Sequence, residues 1–180
     1  MAIKSTIYKA NLQMTDLDRG YYQGHNLTLA LHPSETEQRM MLRLLAFALH
    51  ADEALTFTKG ISTEDEPDLW QKNLSNDIEY WIDLGQPDEK RIRRACGRAR
   101  QVLIYSYNER STEPWWSQNR AKLQRFDNLS VIQIKDASSQ QLTELAERSM
   151  RLQCTIQDGQ VWFANDAVNI EIEMEKLKEV

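Results

Sequence analysis

One stretch of the sequence decides how the rest of the chain folds: Ile78-Glu79-Tyr80-Trp81-Ile82-Asp83-Leu84-Gly85-Gln86-Pro87-Asp88-Glu89. Its first seven residues carry an apolar side chain at every second position, which is the period of a β-strand with one face in the core. The other face carries two carboxylates, those of Glu79 and Asp83. Gly85 breaks the strand, and we expect a helix to follow with Pro87 in its first turn.

The predicted helix is strongly basic, since six of the eleven residues from 90 to 100 are Lys or Arg. Small or apolar residues recur along it at i, i+3, i+4 and i+7, namely Ile92, Ala95, Cys96 and Ala99. The helix should therefore pack through a narrow stripe and turn its positive face outward. The sequence thus predicts an acidic strand end beside a basic helix.

Length and composition favour one ordinary globular domain spanning residues 1–180. The apolar fraction is 41%, the charged fraction is 27%, and no apolar run is long enough for a membrane span. The first residues lack the apolar segment and cleavage site of a signal peptide. We expect the two cysteines, Cys96 and Cys154, to be reduced and buried. These features predict a cytoplasmic protein without a membrane partner.

The positive charge is concentrated in one part of the chain. Residues 90–125 contain ten Lys or Arg and two acidic residues, whereas the whole chain has a net charge of −5. A segregated basic region permits a polyanion such as nucleic acid as the partner. A basic helix that is merely solvated gives the same pattern, so both interpretations remain open.

The N-terminal half is predicted to contain a hairpin and one long helix. Alternation indicates strands over residues 3–14 and 26–31. A helix over residues 35–51 follows, with Ser34 as its N-cap and Glu37 three residues later, which is the pattern of a capping box. A short strand is predicted at residues 55–57, and a loop with one short helix near residues 67–72.

The second half alternates between strands and helices. An apolar run at residues 102–105 completes a βαβ unit with the opening stretch. Next come a helix over residues 115–125, a strand over residues 129–134, and a helix over residues 138–150 that begins with a serine cap. Antiparallel strands end the chain, with Asp158-Gly159 as a two-residue turn. The predicted class is α/β, with one mixed sheet flanked by helices.

Three acidic residues are candidates for a metal site: Glu37 on the first helix, Asp68 after Pro67, and Asp83 at the strand end. Mg²⁺ takes oxygen ligands, often one or two carboxylates completed by water and substrate phosphates, and it activates water for attack on a phosphodiester. Each acid also has a structural interpretation. Glu37 belongs to the capping box, Asp68 caps a helix, and Asp83 is a solvated carboxylate at a sheet edge.

Other chemistries have less support in the sequence. The three histidines lack zinc-ligand spacing, and no phosphate-binding glycine loop, nucleophile elbow or dinucleotide fingerprint occurs. Trp115 and Trp116, with Tyr105 and Tyr107, are suited to stacking on bases beside the basic helix. Aromatic pairs of this kind also occur in cores and interfaces, so this interpretation too stays open.

Several long motifs, in the same order, resemble the bacterial YaeQ family: His32-Pro33-Ser34-Glu35-Thr36, Arg39-Met40-Met41-Leu42-Arg43-Leu44-Leu45-Ala46, Asp65-Glu66-Pro67, Trp81-Ile82-Asp83-Leu84-Gly85, Pro87-Asp88-Glu89 and Thr155-Ile156-Gln157-Asp158-Gly159. The resemblance covers essentially the whole chain. The family in turn is similar to a compact variant of the PD-(D/E)XK nuclease-like fold. That superfamily places an acid on its first helix, a Pro-Asp acid, and a D/E-x-K motif on the following strand around one or two Mg²⁺ ions.

Carried over by position, the resemblance makes Glu37 the helical acid, Asp68 the Pro-Asp acid and Asp83 the acid of the D/E-x-K motif. Gly85 stands where the superfamily has lysine, so the motif is incomplete. The lysine would orient the attacking water and stabilise negative charge. The candidates to substitute for it are Gln86 in the turn and a base of the adjacent helix, such as Lys90 or Arg94.

The resemblance and the acid pattern together imply a Mg²⁺-dependent nuclease that hydrolyses phosphodiesters in DNA or RNA, with Mn²⁺ as a substitute ion. We expect phosphates to bind along the basic helix, at Lys90, Arg91, Arg94 and Arg98. The alternative is a non-catalytic protein with the nuclease-like fold that binds nucleic acid or a protein partner. Gly85 is the residue that favours this alternative.

Overall fold

The computed structural model describes residues 4–59 and 65–180. In this described part the elements are β1 (Thr6–Asp16), β2 (Tyr21–Leu31), α1 (Glu37–Leu49), β3 (Leu55–Phe57), β4 (Leu69–Lys72), β5 (Ile78–Leu84), α2 (Glu89–Arg98), β6 (Ala99–Ser106), α3 (Glu109–Leu123), β7 (Leu129–Ile134), α4 (Asp136–Thr143), β8 (Ser149–Gln157), β9 (Gln160–Ala164), β10 (Asn169–Ile172) and β11 (Met174–Lys178). The chain divides into two compact units: Met1–Leu49 with Ala137–Glu173, and His50–Asp136 with Met174–Val180. None of the described helices is long and apolar enough to cross a membrane.

A five-stranded mixed sheet forms the first unit, in the order β10-β9-β8-β1-β2. Strand β1 pairs antiparallel with β2 and parallel with β8, while β9 pairs antiparallel with both β8 and β10. Alternate side chains of β1 are buried, including Tyr8, Ala10, Leu12 and Met14. Helix α1 is buried at every position from 40 to 48, as its apolar circumference predicts.

The β8–β9 hairpin turns at Asp158 and Gly159, as predicted. Both residues have positive φ angles, 53° and 76°, which fit a two-residue type I′ turn. The carboxylate of Asp18 accepts hydrogen bonds from the backbone N–H groups of both turn residues, at 2.8 and 2.9 Å. Asp18 lies in the turn between β1 and β2, so it ties the two hairpins of this sheet together.

A six-stranded mixed sheet forms the second unit, in the order β11-β7-β6-β5-β4-β3. The strands β5, β6 and β7 are parallel, and the outer strands pair antiparallel. Helix α2 connects β5 to β6 and α3 connects β6 to β7, which makes two successive βαβ units. Trp81 of β5 packs in one buried cluster with Ile92 and Ala95 of α2 and with Val102 and Ile104 of β6.

The mixed α/β class is confirmed, with the strands distributed over two sheets. The sheets are separate because β1 pairs with β2 and with the C-terminal strand β8, so the first hairpin belongs to a different sheet from β5, β6 and β7. Strand β5 has its predicted bounds. Its carboxylate-bearing face is buried by α2, and Asp83 is only 3% exposed. The interpretation of Asp83 as a solvated edge carboxylate is therefore wrong.

The short helix predicted near residues 67–72 is wrong, because Leu69–Lys72 forms β4 and pairs antiparallel with β5. Four residues are too few to reveal a period. The conformation of such a short segment is set by its pairing with the neighbouring strand and by burial, more than by intrinsic preference. Asp68 therefore precedes a strand and does not cap a helix.

The cap of α1 differs from the predicted capping box. The Oγ1 atom of Thr36 accepts a hydrogen bond from the backbone N–H of Arg39 at 3.1 Å, so Thr36 is the N-cap. Glu37 is then the first helical residue and not the third. The Ser34 hydroxyl instead forms a 2.7 Å hydrogen bond with the ring of His32.

Two other helix starts also differ from the prediction. Helix α4 spans Asp136–Thr143, and the residues from Ser149 onward belong to β8. Ser138 lies inside α4, where its hydroxyl accepts a hydrogen bond from the backbone N–H of Glu173 at 2.8 Å. It anchors the segment after β10 and caps nothing. Pro87 precedes α2, whose N-cap is Asp88.

Both cysteines are free thiols; Cys154 is buried and Cys96 is partly buried. Burial raises the pKa of Cys154 to about 12 and that of Cys96 to about 11. Since the thiolate is the reactive form, neither side chain has the character of a nucleophile.

Replacing Thr36 with alanine should lower the free energy of unfolding by about 1 kcal/mol, because the N–H of Arg39 loses its acceptor. Chemical denaturation measures the change. The matched control is Ser34→Ala, for which we expect a change within about 0.5 kcal/mol because Ser34 is exposed and lies outside the helix. Equal losses in the two variants would contradict the assignment of Thr36 as the cap.

Candidate functional site

The structure brings Asp68 and Asp83 together at the end of β5. Leu69 pairs with Ile82 in the antiparallel β4–β5 ladder, and the backbone N–H of Asp68 donates to the same Ile82 carbonyl at 3.1 Å, next to Asp83. Besides burial, the charge of Asp68 raises the pKa of the Asp83 carboxyl, and the charges of both acids raise the pKa of Arg91, so the two carboxylates lie near each other. Both carboxylates are buried, with residue exposures of 4% and 3%.

Each carboxylate accepts hydrogen bonds from β5 or from the helix that follows it. The backbone N–H of Leu84 donates to Oδ2 of Asp68 at 2.9 Å. The Nε1 atom of Trp81 donates to Oδ2 of Asp83 at 3.0 Å. Arg91 donates two hydrogen bonds to Asp83, from Nε to Oδ2 at 2.9 Å and from Nη2 to Oδ1 at 3.1 Å. Asp83 is therefore a buried carboxylate that forms an ion pair with Arg91.

The ionisation of this pair follows from its surroundings. Burial raises the pKa of the Asp83 carboxyl, and the hydrogen bonds and charge of Arg91 oppose that rise. For Arg91, burial lowers the pKa, but the hydrogen bonds to Asp83 and the charges of Asp83 and Asp68 outweigh burial and raise it. The guanidinium therefore stays charged, and its hydrogen bonds and its charge favour the ionised form of the desolvated Asp83 carboxyl.

The turn between β5 and α2 explains why Arg91 reaches Asp83. Gly85 has a φ of 94°, a conformation that L side chains rarely adopt, and its backbone N–H donates to the Tyr105 carbonyl at 2.9 Å. The chain then reverses, and the Asp88 side chain caps α2 by accepting a bond from the Arg91 backbone N–H at 2.8 Å. Arg91 thus lies in the first helical turn, next to the strand end that carries Asp83.

Gln86 has a structural task in this turn. Its Nε2 atom lies 3.0 Å from Oγ of Ser106, 2.6 Å from the Tyr107 carbonyl and 3.3 Å from Oγ1 of Thr112. Ser106 and Thr112 are buried, so Gln86 clamps the β5–α2 turn onto the end of β6 and the start of α3. With its amide hydrogens used in this way, the amide nitrogen has no donor left for a water molecule.

Three of the four residues predicted to bind phosphate line one pocket. Lys90, Arg91 and Arg94 surround a cavity of about 200 Å³ together with Asp88, the helix cap. Nζ of Lys90 has no ion-pair partner among the described residues, while Nη1 of Arg94 lies 3.8 Å from Oδ1 of the exposed Asp65. The pocket is therefore cationic, and Arg91 connects it to Asp83.

Arg98, the fourth predicted phosphate ligand, is engaged elsewhere. Its Nη1 atom donates to the Asp65 carbonyl at 2.8 Å, and its guanidinium carbon lies 5.1 Å from the centre of the Trp81 ring. A cation over an aromatic face at this distance contributes to packing. Arg98 thus belongs to the wall that covers Trp81.

The tryptophan pair of α3 is packed against the core cluster of the second unit. The Nε1 atom of Trp115 donates to the Pro87 carbonyl at 2.8 Å, which fixes α3 to the β5–α2 turn. Tyr105 is buried as well, and its hydroxyl is hydrogen-bonded to the ring of His50. Tyr105 therefore has the core role, whereas Trp115 and Trp116 are partly buried against the core cluster.

Glu37 lies in the first unit, at the exposed start of α1. Its Oε2 atom accepts a hydrogen bond from the Tyr8 hydroxyl at 3.4 Å, and burial together with this carboxylate raises the pKa of Tyr8. Within residues 4–59 and 65–180, no three His, Cys, Asp or Glu side chains form a group that could hold a metal ion. The convergence of Glu37 with Asp68 and Asp83 stays a prediction.

The sequence missed the contact that defines this site. It named Arg91 as a phosphate ligand and named Lys90, Arg94 and Gln86 as substitutes for the absent lysine. The residue that actually contacts Asp83 is Arg91. A basic residue in the first turn of the helix that follows an acidic strand end is the signal that points to such a pair.

Comparison with known proteins identifies the family. The model of the YaeQ protein family matches residues 1–174. The chain belongs to the YaeQ family. The YaeQ proteins of Salmonella typhi and Escherichia coli strain K12 are 50% and 48% identical to it over 174 residues, which are 97% of this chain and 96% of each relative. The match thus spans both compact units.

Solved structures of the family have the same fold. The crystal structure of the YaeQ protein from Xanthomonas axonopodis pv. citri is 44% identical, with a TM-score of 0.94 over 98% of this chain and 99% of that one. The YaeQ protein from Pseudomonas syringae is 34% identical, with a TM-score of 0.93 over 98% and 97% of the two chains. The names of these relatives state no activity, so the comparisons establish family and fold.

Arg91→Gln should lower the free energy of unfolding at neutral pH by about 3 kcal/mol, because it leaves Asp83 as a buried carboxylate without its cation. The loss should shrink on acidification. A carboxyl whose pKa is raised in the folded state stabilises the protein at low pH, and this stabilisation is lost as the pH rises through the folded-state pKa. Chemical denaturation over a pH series measures both effects.

The control for this prediction is the double variant Arg91→Gln with Asp83→Asn. It removes both charges, so it should be more stable than the sum of the two single losses implies. Strictly additive losses would show that Asp83 and Arg91 do not stabilise each other.

Proposed function

We propose that this YaeQ family member is a phosphodiesterase that acts on nucleic acid with Mg²⁺, or with Mn²⁺ in its place. One observation carries the proposal: two buried carboxylates, Asp68 and Asp83, lie near each other at the end of β5, beside a pocket lined by Lys90, Arg91 and Arg94. Adjacent acidic and basic groups are what a metal-assisted reaction on a phosphodiester requires.

The donor set fits a hard divalent cation. Mg²⁺ is commonly held by one or two carboxylates, with waters and substrate phosphates as the other ligands. Oδ2 of Asp83 accepts two hydrogen bonds, whereas Oδ1 accepts one, from Arg91. A carboxylate oxygen has two lone-pair directions, so Oδ1 keeps one for a metal ion. Asp68 would supply the second carboxylate.

The bound ion would neutralise charge on the phosphodiester and activate water. The protein's own residues have the remaining tasks. Lys90 and Arg94 attract and orient the phosphate, and Arg91 supplies the permanent positive charge that lysine supplies in the D/E-x-K motif, where this chain has Gly85. A guanidinium does not act as a base near neutral pH, so Arg91 stabilises charge and does not remove a proton.

Resemblance to the PD-(D/E)XK nuclease-like superfamily supports the same proposal. The acid before β4 and the acid of β5 come from adjacent antiparallel strands, as the Pro-Asp and D/E-x-K acids of that superfamily are expected to do. Because fold alone does not determine function, the proposal depends on the site and requires a direct test.

The protein with Mg²⁺ or Mn²⁺ should cleave a nucleic acid, and Asp83→Asn should abolish cleavage, because it removes a charged ligand with almost no change in volume. A screen of single- and double-stranded DNA and RNA measures the activity. The matched control is Glu79→Gln, on the same strand and bound by Asn73, which should retain activity. Absence of any metal-dependent cleavage above the Asp83→Asn background would refute the proposed phosphodiesterase activity.

A second candidate is a non-catalytic nucleic-acid-binding protein. The observation that favours it is the ion pair itself, since the charge of Arg91 already neutralises that of Asp83. Gly85 in the place of lysine points the same way. On this proposal the cationic pocket binds backbone phosphate and no bond is broken. A protein that binds nucleic acid and fails the cleavage screen would meet this description.

Both candidates predict binding through the pocket. Reversing Lys90 and Arg94 to Glu should weaken nucleic-acid binding at least tenfold, and binding by the parent should fall steeply with salt, since phosphate contacts release counterions. Fluorescence anisotropy over a salt series measures this. The control is Arg151→Glu, an exposed charge reversal on β8. Equal weakening by the control, or binding insensitive to salt, would exclude the pocket as the interface.

A further inference from the structure

Strand β2 is an edge strand whose outer side carries free backbone groups. The backbone N–H groups of Lys9 and Leu17, at the two ends of β1, donate to carbonyl groups on the β8 side at 2.9 and 2.8 Å. Successive residues of a strand point these groups to opposite sides, so the even-numbered residues of β1 bond to β2. In the β1–β2 register these residues stand opposite odd-numbered residues of β2. The backbone groups of four exposed residues therefore point outward from the sheet: Tyr22, Gly24, Asn26 and Thr28.

The far end of this edge is closed by a side chain. Nη2 of Arg43 donates to the backbone carbonyl of Ala30 at 3.0 Å, which agrees with the outward orientation of the even-numbered residues. The same guanidinium is held by both carboxylate oxygens of Glu35. The open part of the edge is therefore residues 22–28, and we call it the open β2 edge.

The other sheet edges in the described part of the chain are protected against pairing. Short length, charged side chains, proline and bulges are the usual protection, because they prevent a free edge from adding another strand. Strand β3 has three residues, β10 has four including Glu171, and β11 carries three charges and a register shift. Strand β2, in contrast, has eleven residues, an uninterrupted register with β1, and no Asp, Glu, Lys, Arg or Pro.

We infer that two copies of this chain pair along the open β2 edge, antiparallel about a two-fold axis, and so join their five-stranded sheets into one sheet of ten strands. The occupant of the edge must itself present a long strand edge that brings no like charges together. Among the described strands, only β2 meets this requirement. The inference is independent of the proposed phosphodiesterase function, because β2 belongs to the first unit.

One register uses every outward backbone group of the open β2 edge. With the axis at His25, Tyr22 of each copy stands opposite Thr28 of the other, and Gly24 stands opposite Asn26. Each of the four pairs exchanges two hydrogen bonds, which gives about eight, within the range of about 10 ± 5 for a typical protein interface. An aromatic residue opposite a β-branched one is also a favourable cross-strand pair.

Charge favours this edge over other parts of the surface. The chain has a net charge of −5, so two copies repel each other where acidic residues meet. The open β2 edge brings no charges together. Asn11 and Gln13, which stand beside Asn26 and Gly24 on the neighbouring strand β1, are uncharged as well.

Sedimentation equilibrium of the 180-residue chain over a concentration series tests the inference. We expect a reversible equilibrium in which the mass rises from that of one chain to that of two. A mass that stays at one chain throughout would overturn the inference and leave the edge to a strand of another protein. Species larger than two chains would overturn it too, because two-fold pairing occupies both open edges and ends the assembly.

A matched pair of charge variants locates the interface. Asn26→Asp keeps the shape and the acceptor for the Asn11 amide, but it places two negative charges beside the axis, so it should raise the dimer Kd about tenfold. Gln153→Glu adds the same charge to the same face of the sheet, on β8, two strands from the edge, and should leave Kd unchanged. Equal effects of the two variants would reject the edge as the interface.

A second pair isolates the backbone hydrogen bonds. Thr28→Pro removes an outward N–H that β1 does not use, so the chain should fold and its dimer Kd should rise about tenfold or more. Thr28→Val keeps this N–H and the side-chain shape, and it should dimerise as the parent does. Equal Kd values for the two variants would reject backbone pairing. Circular dichroism checks the fold; if Thr28→Pro is unfolded, the Asn26→Asp and Gln153→Glu pair decides.

Discussion

The ion pair between Asp83 and Arg91 is the constraint on which the candidate site depends. It joins the end of a parallel strand to the first turn of the next helix, and so it fixes how α2 lies on the sheet. Replacing a buried ion pair by apolar groups is often neutral, whereas removing one partner is costly. The ion pair therefore determines the position of α2 more than it adds to the net stability of the fold. The same placement brings the basic face of α2 beside two carboxylates.

The charges at this strand end are arranged in a sequence from the interior to the solvent. Two buried carboxylates, Asp68 and Asp83, lie on the interior side of the Arg91 guanidinium. Lys90 and Arg94 place positive charge on the solvent side of the same guanidinium. Arg91 therefore borders both the acidic and the basic groups, which is why both the catalytic and the binding proposals include this residue.

Local sequence signals predicted β5 well because strict alternation was followed by Gly85, a strong strand breaker. They failed for β4, whose four residues show no period, and at α1, where two hydroxyl residues competed for the cap. The division into two sheets depends on pairing of β1 with β8, from nearly opposite ends of the chain, and such pairing leaves no local trace. In the candidate site, the resemblance predicted that Asp68 and Asp83 would lie together, and the structure places both carboxylates near the end of β5. The resemblance did not identify the contact of Arg91, because that contact depends on the path of the turn.

Gly85 determines which residue supplies the positive charge. An added Cβ at this position would have room, since the nearest atom, in the Tyr107 ring, would be 3.8 Å away. The obstacle to a lysine here is the φ of 94°, which any L side chain would strain. Relief of that strain would require a different path for the turn, and a different path would move the first turn of α2 away from Asp83. The roles of Gly85 and Arg91 are thus linked, because Gly85 permits the tight turn and the tight turn brings Arg91 to the Asp83 carboxylate.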